Sequence, residues 1–414
     1  MIGIVGAGLT GLALAHELAR RGIEHVVLEA ADRPGGVIRS ERRNGKVLEH
    51  GPQRARMTPG LAALVAELGL EDEVVYAPEG LPLFVYAAGA LRRVPFSPRE
   101  WWASDLLSPR GKLRLLLEPL TAGPRDDERV AGVLTRKLGR EAYERMVGPL
   151  YGGLYASDPA DMVVGLSLGP LLTELGVGRS LLLAYLTRRA ASYPAACTFR
   201  AGLQALPDAL YARHAACVRL ASPVREVRAV GDGYTLRLDG GEVDVAAVVL
   251  TCAAPAAARI LEGVAPGVAA RIGSLVYNPL AVVHLDAPDA GLHGLGYQVA
   301  LGEDLATRGT TWNESVFRRP GVHTAFLGGA ARPEVVLEPD DRLGETAATE
   351  FRRVTGREAR ALRVTRVRMP AWDASWRALD GLAPPRGIRF AANWESRPGI
   401  AGRLQQARMV AQEL

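Results

Sequence analysis

Lysine and cysteine are both scarce in this chain. The cysteines are Cys197, Cys217 and Cys252, an odd number with wide spacing and no C-x-x-C pair. Neither a disulfide framework nor a zinc site is therefore indicated. The seven histidines are scattered and form no H-E-x-x-H pattern, so the sequence predicts no metal site.

Long apolar runs and basic clusters are also missing. The longest apolar run, residues 245–258, is interrupted and too short to span a bilayer. No block of basic residues with interleaved aromatic residues appears, so no nucleic-acid site is predicted. The net charge of +5 comes almost wholly from arginine, because Lys46, Lys112 and Lys137 are the only lysines.

The first fifty residues carry the strongest pattern that is present. An apolar strand at residues 2–5 leads into Gly6-Ala7-Gly8-Leu9-Thr10-Gly11, then into a helical pattern over residues 12–21, and a second strand, residues 25–28, ends at Glu29. Strand, G-x-G-x-x-G, helix, strand and acid in this order predict the βαβ unit that binds a dinucleotide.

Each glycine has a physical role in that unit. Gly6 permits the tight turn after the first strand, Gly8 lets the backbone approach a pyrophosphate, and Gly11 lets the helix pack closely on the sheet. The helix N-terminus offers free N–H groups and the positive end of a dipole to the phosphates. Glu29 can accept hydrogen bonds from an adenosine ribose and disfavours a 2′-phosphate, so NADP fits poorly.

The residues after Glu29 extend the pattern as Asp32-Arg33-Pro34-Gly35-Gly36-Val37-Ile38-Arg39-Ser40. Here Gly35 and Gly36 would let a loop pass close to the pyrophosphate or flavin, and Arg39 would supply charge. This run resembles the extended FAD signature of the FAD-dependent amine oxidase superfamily. The resemblance implies FAD as the bound dinucleotide, with NAD(H) as the alternative.

Further stretches extend the resemblance over nearly the whole chain and bring it closest to the oxygen-dependent protoporphyrinogen/coproporphyrinogen oxidase family. They follow the family's order at residues 47–52, 85–95, 149–159, 199–210, 222–227, 245–255 and 388–401. Two departures concern the substrate part. Leu154 and Ser157 replace family residues, and the stretch 366–372 lacks the family's first tryptophan.

The resemblance also implies roles for single residues. Val224 would pair through its backbone with the adenine, and the last helix, residues 401–414, would direct its N-terminus at the flavin and stabilise the reduced ring. The predicted cofactor-binding residues are Gly6, Ala7, Gly8, Leu9, Thr10, Gly11, Glu29, Ala30, Gly35, Gly36, Arg39, Gly51, Pro52, Gln53, Arg54, Val224, Trp372, Asn393, Gly399, Ile400 and Ala401.

The expected fold class is α/β plus α+β. It combines a Rossmann-like FAD-binding domain of the amine oxidase/p-hydroxybenzoate hydroxylase type with a mixed-sheet substrate domain and a helical insertion. The predicted boundaries are 1–75, 196–265 and 385–414 for the discontinuous FAD-binding domain and 76–97 and 266–384 for the substrate-binding domain. Residues 98–195 are predicted to form a helical domain, with contact to a membrane surface as an open alternative.

The resemblance implies FAD-dependent oxidation of protoporphyrinogen IX or coproporphyrinogen III to the porphyrin, with O2 as electron acceptor, in haem biosynthesis. Such a reaction depends on positioning more than on a strong base, so no catalytic side chain is predicted. A flat apolar ring with carboxylates calls for an apolar slot with arginines at its mouth. The predicted substrate-binding residues are Arg99, Arg56, Tyr151, Tyr155, Leu154 and Leu168, with surface exposure or core packing as the alternative for each.

Other functions stay open at this point. A flavin amine oxidase or a carotenoid desaturase has the same fold, and a flavoprotein without chemistry is a third alternative. Amine oxidases commonly use a lysine near the flavin, and this chain has none after Lys137. A strand that starts at Ile2 leaves no room for a signal peptide, so we expect a cytoplasmic protein. Contact with a membrane surface and a homodimer are further open alternatives.

Overall fold

The computed structural model describes residues 1–174, 176–187, 194–288, 290–395 and 399–414. The chain forms two compact units. The first unit comprises residues 1–77, 194–275 and 378–414, and the second comprises residues 78–193 and 276–377. The three-domain boundaries stay a prediction, and residues 188–193 of the expected helical domain lie outside the described residues.

The strands are bounded as follows. In chain order they are β1 (Ile2–Val5), β2 (His25–Leu28), β3 (Ser40–Arg43), β4 (Lys46–Glu49), β5 (Ala55–Arg56), β6 (Val74–Tyr76), β7 (Leu83–Ala87), β8 (Ala90–Arg93), β9 (Ala196–Phe199), β10 (Val218–Arg219), β11 (Val224–Val230), β12 (Gly233–Leu238), β13 (Gly241–Val245), β14 (Ala247–Leu250), β15 (Tyr277–Asp286), β16 (Gly296–Val299), β17 (Thr307–Thr311), β18 (Val322–Gly328), β19 (Arg360–Pro370) and β20 (Ile388–Phe390).

The helices are bounded as follows. In chain order they are α1 (Leu9–Arg20), α2 (Pro59–Glu67), α3 (Pro98–Ala103), α4 (Pro109–Leu116), α5 (Val130–Leu138), α6 (Arg140–Ala142), α7 (Gly148–Tyr155), α8 (Leu168–Glu174), α9 (Leu181–Thr187), α10 (Ala205–His214), α11 (Ala254–Leu261), α12 (Pro266–Gly273), α13 (Asn313–Phe317), α14 (Asp340–Thr355) and α15 (Ile400–Glu413).

The first unit is built on a parallel sheet with strand order β10-β2-β1-β14-β20. Strand β1 is central, and Ile2 pairs with His25 on one side and with Ala247 on the other. Its four residues are all buried, as expected for a parallel strand covered on both faces. Helix α1 packs on this sheet with α10 and α15 around one apolar core. The predicted parallel α/β arrangement is therefore present.

The second unit contains a mixed sheet with strand order β19-β15-β18-β17-β16-β7-β8. Only the β16–β7 pair is parallel among the described strands of this sheet. Helix α14 covers one face, where Leu343, Ala347 and Phe351 share a core with Tyr297 and Leu327. The edge strand β19 was not expected from the sequence, because arginines fill much of it and none of its residues is buried.

Helices α3 to α9 also belong to the second unit, and residues of α4 to α8 enclose a separate apolar core. Within this region Lys137 and Glu118 form a fully buried ion pair, with 2.9 Å between Nζ and Oε1. The Glu118 carboxylate also accepts hydrogen bonds from the Ser180 hydroxyl and from the amide of Leu181. Among the described residues, no helix is long and apolar enough to cross a membrane.

Candidate cofactor and substrate sites

The turn from β1 to α1 leaves a helix N-terminus open in the first unit. Gly8 is the N-cap residue and, lacking a side chain, provides no capping hydrogen bond. The first intrahelical bond runs from the Leu12 N–H to the Gly8 carbonyl at 3.0 Å. The amides before Leu12 have no acceptor within the helix. They and the positive end of the helix dipole are therefore available to an anion.

Gly8 faces Gly35 and Gly36 across this turn. Gly8 and Gly35 form an isolated parallel bridge, and the Gly35 N–H donates to the Ala7 carbonyl at 2.8 Å. A Cβ built on Gly8 would meet nothing closer than the Gly36 Cα, 4.0 Å away, whereas a Cβ on Gly36 would lie 3.2 Å from the Gly8 Cα. The backbones of Gly8 and Gly36 therefore pack closely, and a side chain at Gly8 would project into otherwise open space beside the turn.

Close packing requires glycine at position 11, and the backbone conformation requires it at position 6. A Cβ on Gly11 would overlap the Gly6 carbonyl oxygen, and Gly6 itself has φ +110°. The Thr251 hydroxyl, at the end of β14, donates to the carbonyls of Val5 and Gly6, both at 2.9 Å. These contacts fix the turn against the sheet. Sequence reasoning did not assign a role to Thr251.

Glu29 lies at the end of β2 and its carboxylate is oriented by backbone amides. Oε2 accepts from the Ala7 N–H at 2.6 Å and Oε1 from the Ala31 N–H at 2.8 Å. The Ser222 N–H donates to the Glu29 carbonyl at 2.7 Å, which brings the segment before the buried Val224 to this strand end. Ala30 is exposed next to it. A half-buried carboxylate held in this way can accept hydroxyl hydrogen bonds from a ribose.

Arg33 stabilises the loop that contains Gly35 and Gly36. Its guanidinium donates to the Gly36 carbonyl at 2.9 Å and to the Pro34 carbonyl at 3.1 Å. Burial is the main cause that lowers the pKa of Arg33. The sequence motif included Arg33, but no role was predicted for it, because its acceptors are backbone atoms.

The predicted residues around Gly51 join the same part of the first unit. A Cβ on Gly51 would overlap the Val37 carbonyl oxygen. The amide of Gln53 donates to the carbonyls of Glu49, at 2.8 Å, and Gly51, at 3.1 Å. Arg54 is half-buried, and burial followed by the charge of Arg56 lowers its pKa. The other two predicted residues here are Pro52, half-buried, and Arg39, exposed.

The C-terminal candidates lie around the start of α15. Gly399 is its N-cap with φ 108°, Ile400 is buried and Ala401 is half-buried. Asn393 follows β20 and is half-buried, and residues 396–398 of the expected loop are outside the described part. The Gln406 amide donates to Glu395 Oε2 at 3.0 Å.

Trp372 is the one predicted cofactor residue that belongs to the second unit. Its ring stacks on Trp376, with 4.4 Å between centroids and 22° between planes. It also packs against the helical core and has φ 54°. The cofactor role of Trp372 stays a prediction, as does that of the first-unit residues.

The predicted substrate residues fall in both units. Arg56, in the first unit, is exposed and donates to the Pro194 carbonyl at 3.2 Å. Arg99, in the second, is exposed on α3. The rings of Tyr151 and Tyr155 lie 5.2 Å apart, and burial raises the pKa of Tyr151.

Two of the four residues predicted to line the substrate slot are packed in the core instead of exposed at a surface. Tyr155 and Leu168 are buried in the helical core, at 8% and 5% exposure. Leu154, in contrast, is 61% exposed. The structure therefore brings Tyr151, Leu154 and Tyr155 together on α7, while their contact with substrate stays a prediction.

The first unit fits a dinucleotide. It combines an uncapped helix N-terminus, a bare glycine backbone beside it with open space in the Cβ direction of Gly8, and a backbone-oriented carboxylate at the next strand end. These are the groups that a pyrophosphate and a ribose require. Among the described residues, no group of three or more His, Cys, Asp or Glu side chains could hold a metal ion.

Comparisons with known proteins agree with this geometry. The family described as flavin containing amine oxidoreductase matches residues 9–414. Chloroplastic protoporphyrinogen oxidase from Nicotiana tabacum is 28% identical over 392 residues, covering 85% of this chain and 71% of that protein. Coproporphyrinogen III oxidase from Bacillus subtilis (strain 168) is 25% identical over 390 residues, covering 85% of this chain and 82% of that protein.

The fold has a solved counterpart as well. A structure from Exiguobacterium sp. 255-15, provisionally described as a protoporphyrinogen oxidase, superposes with a TM-score of 0.82 at 21% identity. It covers 100% of this chain, and 98% of its own chain is matched. At this identity the likeness establishes the fold alone.

The parallel sheet and its glycine-lined turn define the class of protein as a dinucleotide-binding one, and the family match makes it an oxidoreductase. The chain belongs to the flavin containing amine oxidoreductase family, and its cofactor is FAD. The family, the fold class and the cofactor that the sequence predicted are thereby confirmed.

Proposed function

We propose that this protein oxidises a porphyrinogen to the porphyrin in haem biosynthesis, with FAD as cofactor and O2 as the final electron acceptor. The support comes from relatives named protoporphyrinogen oxidase and coproporphyrinogen III oxidase, each aligned over 85% of this chain. The match extends through both units, so it includes the sheet and helices that would bind the substrate as well as the cofactor unit.

The positions of the three lysines favour a porphyrinogen oxidase over an amine oxidase. Lys137 is buried and paired with Glu118, and Lys112 donates to the Trp102 carbonyl at 2.8 Å. Lys46 belongs to the two-stranded β3–β4 hairpin of the first unit. None of the lysines lies on the seven-stranded sheet, which is described in full, so that sheet offers no lysine to act beside a flavin.

The chain's own contribution is binding and orientation. The bare backbone at Gly8 would let the pyrophosphate approach closely, the α1 N-terminus would donate to it, and Glu29 would accept from a ribose. The dipole of α15 would favour negative charge at its N-terminus. Bound FAD supplies the two-electron acceptor that O2 regenerates. No side chain is assigned as a general base, because the tetrapyrrole's own N–H groups can carry protons by tautomerisation.

The finer statements remain part of the proposal. Arg99 and Arg56 are candidates to bind substrate carboxylates, and Tyr151 and Leu154 to contact the ring. Contact of the helical segment with a membrane surface, a homodimer and a cytoplasmic location stay predictions. Coproporphyrinogen III and protoporphyrinogen IX are equal candidates for the substrate.

The test is porphyrin fluorescence in air, with coproporphyrinogen III and protoporphyrinogen IX supplied separately to the purified FAD-loaded protein. We expect fluorescence to grow well above the autoxidation blank, with hydrogen peroxide produced alongside. The same protein without O2 is the control for the acceptor. No growth from either compound with FAD bound would contradict the proposal.

A further inference from the structure

Gln298 on β16 points away from the core under α14. Its strand neighbours Tyr297 and Val299 both lie in that core, and β16 pairs with β17 and with β7 in unbroken register. Successive residues of a regular strand point to opposite faces, so Gln298 faces the other side of the sheet. Helix α7 of the same unit lies against this side, because an added Cβ on its Gly153 would overlap the Gln298 amide oxygen.

Two glycines make room for the Gln298 amide. Gly153 provides one wall from α7, and Gly309, which pairs with Gln298 in the sheet, provides the other. A Cβ on Gly309 would lie 2.6 Å from Oε1 and 2.8 Å from Nε2, which is too close for any side chain unless the amide moves. The amide is therefore held between two backbone surfaces. Such packing fixes the position of a polar group before a ligand arrives.

The Gln298 amide is not used within the part of the chain that the structure describes. It makes no hydrogen bond to any described residue, although an amide carries a carbonyl acceptor and an NH2 donor group. Gln298 is half-buried, and Gly153 beside it is exposed, as is Leu154. Solvent therefore reaches this slot from the α7 side, and a bound molecule can reach the amide by the same route.

The other side of the slot is apolar and closed. Val85, which pairs with Gln298 from β7, lies in an apolar core with the partly buried Leu150 of α7. Leu154, one turn further along the helix, is exposed. An apolar surface with a fixed hydrogen-bonding group at its open end is typical of a small-molecule site, in which the polar group sets the orientation of the ligand.

We infer that Gln298 accepts a hydrogen bond from a pyrrole N–H of the porphyrinogen and orients the reduced ring beside α7. The inference rests on the proposed function and adds a positioning residue to it. Every ring nitrogen of a porphyrinogen carries a hydrogen, and the saturated meso carbons let the pyrroles tilt, so that N–H groups point out of the mean plane. In the flat porphyrin the N–H groups point to the centre of the macrocycle. A fixed amide acceptor therefore favours the substrate over the product.

The test compares substrate with product on the same FAD-loaded protein. The porphyrinogen that the wild type oxidises gives KM and kcat from the growth of fluorescence in air, and titration with the matching porphyrin gives its Kd. Gln298→Met keeps the length of the side chain and removes both hydrogen-bonding atoms. It should raise KM by about tenfold, keep kcat within about twofold and leave the Kd of the porphyrin unchanged. Gln298→Glu keeps an acceptor and should keep most of the affinity.

Gly153→Ala moves the amide without changing it. Its methyl group would overlap Gln298 Oε1, so the amide must turn away, and KM should rise as in Gln298→Met. Because both changes remove the same contact, the double variant should be no worse than either single variant. Two matched controls should behave as the wild type. They are Gly132→Ala, at an exposed position of α5 with no atom within 4 Å of an added Cβ, and Gln412→Met, exposed on α15.

Flavin absorbance and melting temperature of all variants should match those of the wild type. An unchanged KM in Gln298→Met would overturn the inference, and so would equal losses of porphyrinogen and porphyrin binding. A double variant that is worse than both single variants would show that Gly153→Ala acts by another contact and would also contradict it. In these cases the proposed function stands. If the wild type oxidises no porphyrinogen, the proposed function fails, and the inference fails with it.

Discussion

The two units meet their ligands in different ways. In the first unit the groups suited to the cofactor are mostly backbone, namely the amides at the start of α1 and the bare Cα atoms of Gly8 and Gly36. In the second unit the candidate groups are side chains, such as Arg99 and Tyr151, whose surroundings depend on distant strands and helices. Backbone recognition leaves a spacing of glycines in the sequence, whereas side-chain recognition leaves no local pattern.

The largest expected effect separates cofactor binding from folding. Gly8 has φ −67° and ψ 174°, which any residue adopts, so Gly8→Val should fold and yet fill the open space beside the turn. We expect FAD affinity to fall by at least about 100-fold, because the backbone can no longer approach the pyrophosphate. The flavin-to-protein ratio after gel filtration measures it.

Gly267→Val is the matched control for that change. A Cβ on Gly267, in α12 of the first unit, would meet no atom within 4 Å, so this variant should keep its FAD. A yellow, fully loaded Gly8→Val protein would refute the assigned turn. Comparable loss of FAD in both variants would mean that valine acts through the fold of the unit.

A change at Lys137 should destabilise the second unit and leave FAD binding by the first unit intact. Lys137→Met removes the only cation that contacts the buried Glu118 carboxylate among the described residues. Leaving that charge unpaired should lower the free energy of unfolding by about 3 kcal/mol. Urea unfolding followed by circular dichroism measures the loss, and FAD content in the folded protein should not change.

Lys112→Met is the control for this lysine. Lys112 donates to the Trp102 carbonyl at the surface, so its loss should cost no more than about 0.5 kcal/mol. Equal stability of Lys137→Met and the wild type would contradict the buried pair as a stabilising contact. Loss of FAD from folded Lys137→Met would contradict the separation of the two units.

A smaller effect concerns pH in the first unit. His214 on α10 contacts His16 on α1, with 3.0 Å between Nε2 and Nδ1, and His16 Nε2 lies 3.2 Å from Glu67 on α2. Burial, and then the charges of His16, His25 and Arg213, lower the pKa of His214 from 6.5 to about 4. Its contribution to stability is present above pH 6.5 and is lost as the pH falls towards 4, because only the unfolded chain takes up the proton.

His214→Gln should therefore lose less melting temperature than the wild type when the pH is lowered from about 7 to about 5. His293→Gln, at an exposed position of the second unit, is the control and should follow the wild type. If the melting temperatures of His214→Gln and the wild type fall equally with pH, the lowered pKa of His214 does not contribute to the loss of stability in acid.

The smallest expected effect is that of Arg99→Ala. Arg99 is exposed on α3, so its loss should raise the KM for a porphyrinogen by only about threefold and leave flavin content normal. Steady-state kinetics on both porphyrinogens measure it. An unchanged KM removes Arg99 from the site.

The sequence predicted the first unit well because its constraints are local. The strand bounds of β1 and β2 agree with expectation, and α1 begins at Leu9, three residues earlier than its apolar pattern indicated. The roles of Arg33 and Thr251 were not predicted, because both bind backbone carbonyls that only the folded turn brings near. The last strand ends at Phe390 rather than residue 394.

The second unit was harder to predict. Its strands were expected in outline, yet β19 was missed and two of the four expected slot residues, Tyr155 and Leu168, lie in the helical core. Strand β17 has a bulge against β18, and the register between two strands cannot be read from either strand alone.

The most direct test of the central claim is anaerobic mixing of the FAD-loaded protein with a porphyrinogen, followed through the visible absorbance of the flavin. We expect coproporphyrinogen III or protoporphyrinogen IX to bleach the flavin, a primary amine to leave it oxidised, and admission of O2 to restore the absorbance. Bleaching by the amine and by neither porphyrinogen would contradict the account, and it would identify the second unit as an amine site.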